Sequence, residues 1–199
     1  MSPESLLRAP GGSLDGFPAH GLPAGSVVFG VHRQVDGPWF FDEGPEGRFN
    51  LPAGSGEGTC YLAADPVGAF LEVFWRMRVV SDADVRVRSQ LTAELSGPLR
   101  LADLTARAAG RFGINAEIHT TPDYLLPRAW AEALRSAGFD GLRYLTRSDP
   151  GMRQVGYALF GPAGAISRTS IALGSSGPIG DETTQAAAGY GVLVLPPLP

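Results

Sequence analysis

Apolar residues along this chain fall into short runs separated by stretches rich in glycine and proline. Val27–Val31, Thr59–Ala63, Leu99–Leu101, Gly141–Leu145 and Val155–Phe160 are too short for buried helices, and each predicts a strand. Val85–Val87 and Arg168–Leu173 read the same way. The spacing turns helical after Asp65-Pro66, where Asp suits an N-cap and Pro the first helical position, and the helix is expected to reach about Arg76. A second helix is predicted over Pro127–Ala137, with Trp130, Ala133, Leu134 and Ala137 at helical spacing and Gly138 ending it. Leu104–Ala109 predicts a short helix. Strands and helices interleave without a regular βαβ rhythm, which indicates an α+β domain built on a mixed β-sheet with flanking helices. The expected organisation is an irregular N-terminal arm over 1–21, one domain over 22–173, and a tail over 174–199. In that tail 174–189 reads as a mobile loop and the final Leu-Pro-Pro-Leu-Pro as extended polyproline.

One polar residue breaks the pattern. Glu72 interrupts the apolar run Ala69, Phe70, Leu71, Val73, Phe74, Trp75, and a carboxylate there is costly to bury unless something polar meets it. Gly68 lies one turn earlier and leaves either open space for a ligand or room for a strand to pack closely. Trp39, Phe40 and Phe41 sit in a predicted loop over 36–45, where the core-plug reading is preferred to a ligand-binding one.

Composition narrows the classes. The 199 residues are 44% hydrophobic and 18% charged, enough for a sizeable core, while 27 glycines and 17 prolines imply many turns. A net charge of -4 and a pI of about 5.3 give no general reason to expect nucleic-acid binding. Cys60 is the only cysteine, which suits a reducing compartment. No signal peptide or bilayer-length apolar stretch is evident, so a cytoplasmic protein without membrane attachment is expected. His20, His32, His119 and Cys60 are far apart in sequence and show no metal-ligand spacing. Walker, GxSxG and GxGxxG motifs are absent.

The ordered elements Gly47-Arg48-Phe49-Asn50, Tyr61-Leu62-Ala63 and the helix-embedded Glu72 resemble the RES-domain family. A later block is similar too: Ala129-Trp130-Ala131, then Gly138-Phe139-Asp140-Gly141-Leu142-Arg143-Tyr144, a hydroxyl-bearing segment, and Ala158-Leu159-Phe160. The resemblance spans roughly 22–162. It implies a fold similar to ADP-ribosyltransferases and cleavage of NAD+ at the nicotinamide–ribose bond, by phosphorolysis or hydrolysis. It also implies a toxin-like role beside an Xre-type antitoxin protein. A minority of relatives ADP-ribosylate a protein target.

The residue types suit that chemistry. Breaking an N-glycosidic bond develops positive charge on the ribose, which a fixed carboxylate such as Glu72 stabilises. Guanidinium groups form planar forks for a pyrophosphate, so Arg48 is a candidate, with Arg147 second. Tyr61 offers a ring for nicotinamide and a hydroxyl for the ligand. NAD+ is then the substrate, inorganic phosphate a candidate co-substrate, and no separate cofactor is needed. Each residue has a plainer reading: Arg48 paired with Glu43 or Glu46, Tyr61 in a central strand as core, Glu72 facing solvent.

Two departures stand out. The family's first strand carries an arginine in a Tyr/Trp-Arg-Val pattern, where this chain has Phe29-Gly30-Val31. Arg33 is three residues on and faces the other way in a regular strand, whereas His32 shares the face of position 30. Losing a charged partner in a desolvated site costs about 2–5 kcal/mol, which raises the alternative of a catalytically weakened NAD-binding relative. The family serine after the tyrosine is here Thr146, followed by Arg147, so the hydroxyl is kept.

Overall fold

The computed structural model describes residues 5–165 and 171–196. Its centre is a curled eight-stranded sheet. In chain order the strands are β1 (Ala19–Leu22), β2 (Val27–Arg33), β3 (Phe40–Phe41), β4 (Glu57–Ala63), β5 (Val79–Ser81), β6 (Arg88–Leu95), β7 (Leu99–Asp103), β8 (Gly141–Leu145), β9 (Val155–Pro162), β10 (Gly164–Ala165), β11 (Ala172–Gly177) and β12 (Leu193–Leu195). The helices are α1 (Pro66–Phe74), α2 (Asp82–Arg86), α3 (Glu117–Thr120), α4 (Leu125–Ser136) and α5 (Asp181–Ala188). The main sheet runs β1-β7-β8-β9-β4-β2-β6-β11, antiparallel except for the parallel β7–β8 pair. The expected α+β architecture is therefore present.

Period-two alternation divides the core between the two faces. On β9, Ala158 and Phe160 join one cluster with Trp130, Leu134 and Phe139, while Tyr157 and Leu159 join another with Cys60, Leu62 and Leu91. A third cluster unites Phe70, Leu71 and Phe74 of α1 with Val80, Ala187 and Val192. Asp65 caps α1 as the sequence suggests, its Oδ1 accepting from Gly68 N at 2.8 Å. Gly68 serves close packing: a Cβ there would come within 2.9 Å of Gln154 Oε1 and 3.3 Å of the Ala63 Cβ. Trp39 and Phe41 are core residues, but Phe40 is exposed and lines the cavity described below.

Several local expectations are overturned. Residues 85–87 are not a strand. Val85 belongs to α2, which Ser81 starts by accepting from Asp84 N at 3.1 Å, and Val87 ends it. The short helix expected over Leu104–Ala109 is shifted: Asp103 turns the chain by accepting from Thr105 N, and a 3₁₀ helix runs over Arg107–Phe112. Residues 174–189 are not an unstructured loop, since they hold most of β11 and all of α5, which packs on α1. Of the arm expected over 1–21, residues 5–18 are irregular but docked and Ala19 begins β1: Leu7 and Phe17 are buried, and Trp130 Nε1 donates to Arg8 O at 2.8 Å. Of the strand expected over Arg168–Leu173, residues 168–170 lie outside the described residues, as do 197–199 of the proline-rich end. No helix among the described residues is long and apolar enough to cross a membrane.

Candidate functional site

The sheet is nearly divided. β2 and β4 share one paired position, Phe29 with Ala63, and continue along opposite walls of a cavity of about 410 Å³. Gly30, Val31, His32 and Arg33 line one wall, and Thr59, Cys60, Tyr61 and Leu62 the other. Helix α1 brings Glu72 and Val73 to the cavity, the residues that follow it bring Trp75 and Arg76, and β8 with its continuation brings Tyr144, Leu145 and Arg147.

Glu72 is the acidic centre. Its Oε2 accepts from the Tyr144 hydroxyl at 3.0 Å. Burial pushes its pKa above the ordinary carboxylate value, opposed by that hydrogen bond and by the charges of Arg48 and Arg147. Burial and the nearby carboxylate likewise push the Tyr144 phenol well above its usual value. The solvent-facing reading of Glu72 is therefore set aside.

Arg48 is 8% exposed and has no ion pair with Glu43 or Glu46. Its Nη1 donates to Thr121 O at 2.7 Å, and its guanidinium lies 4.7 Å from the Tyr124 ring centroid. Its Nη2 is buried with no hydrogen-bond partner among the described residues, a charged donor they leave unsatisfied. Burial and the charge of Arg147 lower its pKa.

Tyr61 lines the cavity with its ring, but its hydroxyl is engaged. It accepts from Phe49 N at 2.8 Å and donates to Asn50 Oδ1 at 2.9 Å, which fixes the segment carrying Arg48. Asn50 also donates to Asp42 Oδ2 at 2.7 Å and to Gly44 O at 2.8 Å. The Gly47-Arg48-Phe49-Asn50 element is thus a braced loop that holds one guanidinium.

The other expected residues divide. His32 and Arg33 line the cavity, with His32 Nε2 at 3.0 Å from Ser176 Oγ and Nδ1 at 2.9 Å from Arg33 O. Arg147 also lines it, stacking 4.3 Å from the Trp75 ring centroid. Thr146 is not part of the lining; it is buried, its Oγ1 3.1 Å from Ser148 Oγ. Sequence reasoning passed over Tyr124, Arg76, Tyr144 and His119 as site residues. His119 is buried beside Arg48, and burial lowers its pKa to about 4, so it is neutral at pH 7. Cys60 is also buried, its thiol pushed up to about 12, which leaves it inert as a nucleophile. No group of three or more His, Cys, Asp or Glu among the described residues is arranged to hold a metal.

The family model of the RES domain matches residues 27–177. The chain belongs to the RES-domain family. Its RES match includes both cavity walls, Glu72 and Arg147, and stops before α5. The RES fold is also similar to a chain in the crystal structure of the M. tuberculosis MbcT–MbcA toxin–antitoxin complex, with a TM-score of 0.63 over 84% of this chain and 92% of that one. Identity there is 13%, so this likeness speaks for the fold alone. Comparison with curated protein sequences gives no match.

Proposed function

We propose that this RES domain cleaves NAD+ at the nicotinamide–ribose bond. The supporting observation is a half-buried carboxyl, Glu72, in the same cavity as Arg48 and Arg147, neither of which has a carboxylate partner within ion-pair distance among the described residues. Glu72 stabilises the positive charge that develops on the ribose as nicotinamide leaves. Tyr144 holds its carboxyl and offsets part of the burial cost. Arg48 and Arg147 bind the diphosphate by charge-assisted hydrogen bonds. The Tyr61 ring faces the leaving nicotinamide, while its hydroxyl keeps Arg48 in position. His32 and Arg33 contact the far end of the dinucleotide, and Thr146, outside the cavity lining, has no direct part in this reading. The acceptor is water or inorganic phosphate. NAD+ is a substrate, so this reading requires no separate cofactor, and it is a cytoplasmic activity.

An activity that depletes NAD+ harms the cell that makes it. The similar M. tuberculosis fold comes from a toxin–antitoxin complex, and we infer a toxin-like role here, restrained by an antitoxin protein of the Xre type. Incubating the purified protein with NAD+, with and without phosphate, and following nicotinamide tests the catalytic reading. Release no greater than that of Glu72→Ala in both buffers sinks it. Labelled NAD+ in lysate separates degradation from ADP-ribosylation of a protein, since only the latter puts label on a protein band.

A weakened relative is the second reading. Gly30 favours it, because this wall position contributes no side chain. NAD+ binding by calorimetry without nicotinamide release decides for it.

A further inference from the structure

At the outer end of the cavity Arg147 belongs to a cluster whose other members have no role in the cleavage proposed above. Trp75 and Arg76 follow the last turn of α1, Arg147 follows β8, and Tyr124 immediately precedes α4. Arg76 Nη2 and Arg147 Nη2 both donate to the Tyr124 hydroxyl oxygen, each at 2.7 Å. The two guanidiniums lie 5.8 and 4.3 Å from the Trp75 ring centroid. Neither has a carboxylate within ion-pair distance among the described residues.

Two cations converging on one neutral oxygen repel each other, and a phenol oxygen is a weak acceptor for both. A phosphoryl oxygen carries the negative charge that this geometry lacks, and guanidinium–phosphate hydrogen bonds are stronger than those to neutral acceptors. The cation–π contacts to Trp75 hold the guanidiniums in place without consuming their donors on a carboxylate. The cluster is therefore organised for an anion before one arrives.

We propose that Arg76 and Arg147 form a phosphoryl-binding subsite, and that the Tyr124 hydroxyl is a placeholder which the incoming phosphoryl oxygen displaces. The subsite rests on the NAD+ reading only for the identity of its natural ligand. The phosphoryl group comes either from free inorganic phosphate or from the diphosphate of a nucleotide. Arg76 enlarges the cationic wall beyond Arg48 and Arg147, and Tyr124 makes access to it conditional on a side-chain movement.

Calorimetric titration of the full chain with inorganic phosphate, and separately with ADP, reads the subsite without turnover. Arg76 is exposed at a helix end, so Arg76→Gln leaves the fold intact. It is expected to weaken binding by at least about tenfold, as loss of a charged donor to an anion does. Weakening toward ADP alone assigns the subsite to a nucleotide diphosphate; weakening toward inorganic phosphate assigns it to the free anion. Tyr124→Phe keeps the ring beneath Arg48 and Arg147 and is expected to bind at least as tightly as the wild type. Equal affinity of Arg76→Gln and wild type for both titrants overturns the proposal. So does absence of binding to the wild type, or a tenfold loss in Tyr124→Phe, which would make the hydroxyl a ligand contact. A protein that binds ADP through Arg76 yet leaves NAD+ uncleaved keeps the subsite and loses only the catalytic reading.

Discussion

The Tyr144 hydroxyl donates to Glu72 Oε2 at 3.0 Å, joining strand β8 to helix α1 across the cavity wall. The contact fixes the carboxyl in a place where burial alone would favour its neutral form. A bond of this kind contributes to the fold and to the chemistry at once.

Tyr144→Phe removes the donor and keeps the ring packed on Phe49, whose centroid lies 5.0 Å away. Stability is expected to fall by about 1–3 kcal/mol in urea unfolding, the usual range for a hydrogen bond to a charged or buried acceptor. The hydrogen bond lowers the Glu72 pKa, so its loss raises that pKa further. The acid limb of the nicotinamide-release profile then moves to higher pH. An unchanged limb would mean that Glu72 ionisation does not govern the rate.

Glu72→Gln is expected to trade activity for stability. The folded pKa of Glu72 lies above its ordinary value of 4.5, so the unfolded chain gives up this proton more readily than the folded one. Wild-type stability from this group is present below pH 4.5 and is lost as pH rises through the raised folded value. The variant should therefore melt higher than wild type at pH 7 and alike at pH 4. Its rate should drop at least about 10²-fold, the scale of losing one preorganised electrostatic partner.

His119 gives the opposite slope. Its pKa falls from 6.5 to about 4 on folding, chiefly through burial, with Arg48 adding to the shift and Asp103 opposing it. Protonation of the unfolded chain then removes stability as pH drops from 6.5 towards 4, by on the order of 3 kcal/mol in total. His119→Gln in a Glu72→Gln background isolates the effect, and urea midpoints across that interval should flatten. A slope as steep as before would show that His119 is already charged in the fold.

Gly30→Arg tests whether the bare backbone at position 30 limits the proposed activity. A Cβ at position 30 would meet Leu62 Cδ2 at 3.0 Å and Leu91 Cβ at 3.7 Å, so the new side chain starts against apolar neighbours. Arg48, Arg76 and Arg147 already surround the cavity. The rate of nicotinamide release is expected to stay within about tenfold of wild type, a change of roughly 1.4 kcal/mol or less. A larger gain would favour the weakened relative.

Local signals carried the helix ends and the central strands. Asp65-Pro66 marked α1, Gly138 closed α4 with its positive φ of 82°, and the aliphatic runs marked β4, β8 and β9. Strand β6 escaped because its polar residues Arg88, Gln90, Thr92 and Glu94 masked the alternate burial of Leu91, Ala93 and Leu95. Strand β11 is glycine- and serine-rich, and only pairing with β6 orders it; at Gly174 a Cβ would approach Thr92 O within 2.7 Å. Helix α5 has little apolar surface, with Thr183 and Ala187 as its buried residues. The unusual setting of Glu72 was visible in the apolar run around it. Its partner was not: Tyr144 is 72 residues away and meets it only through the path of β8. Arg76 and Tyr124, 48 residues apart, were hidden for the same reason.

The single Phe29–Ala63 pairing has an architectural consequence. Each of the two blades keeps its own ladder, β2 on β6 and β4 on β9, and the blades meet at one rivet. Beyond that rivet the halves are joined by side-chain packing, Val28 and Leu91 with Cys60 and Leu62, instead of by backbone pairing. Residues lining that gap can change while the ladder on either side keeps its own pairing.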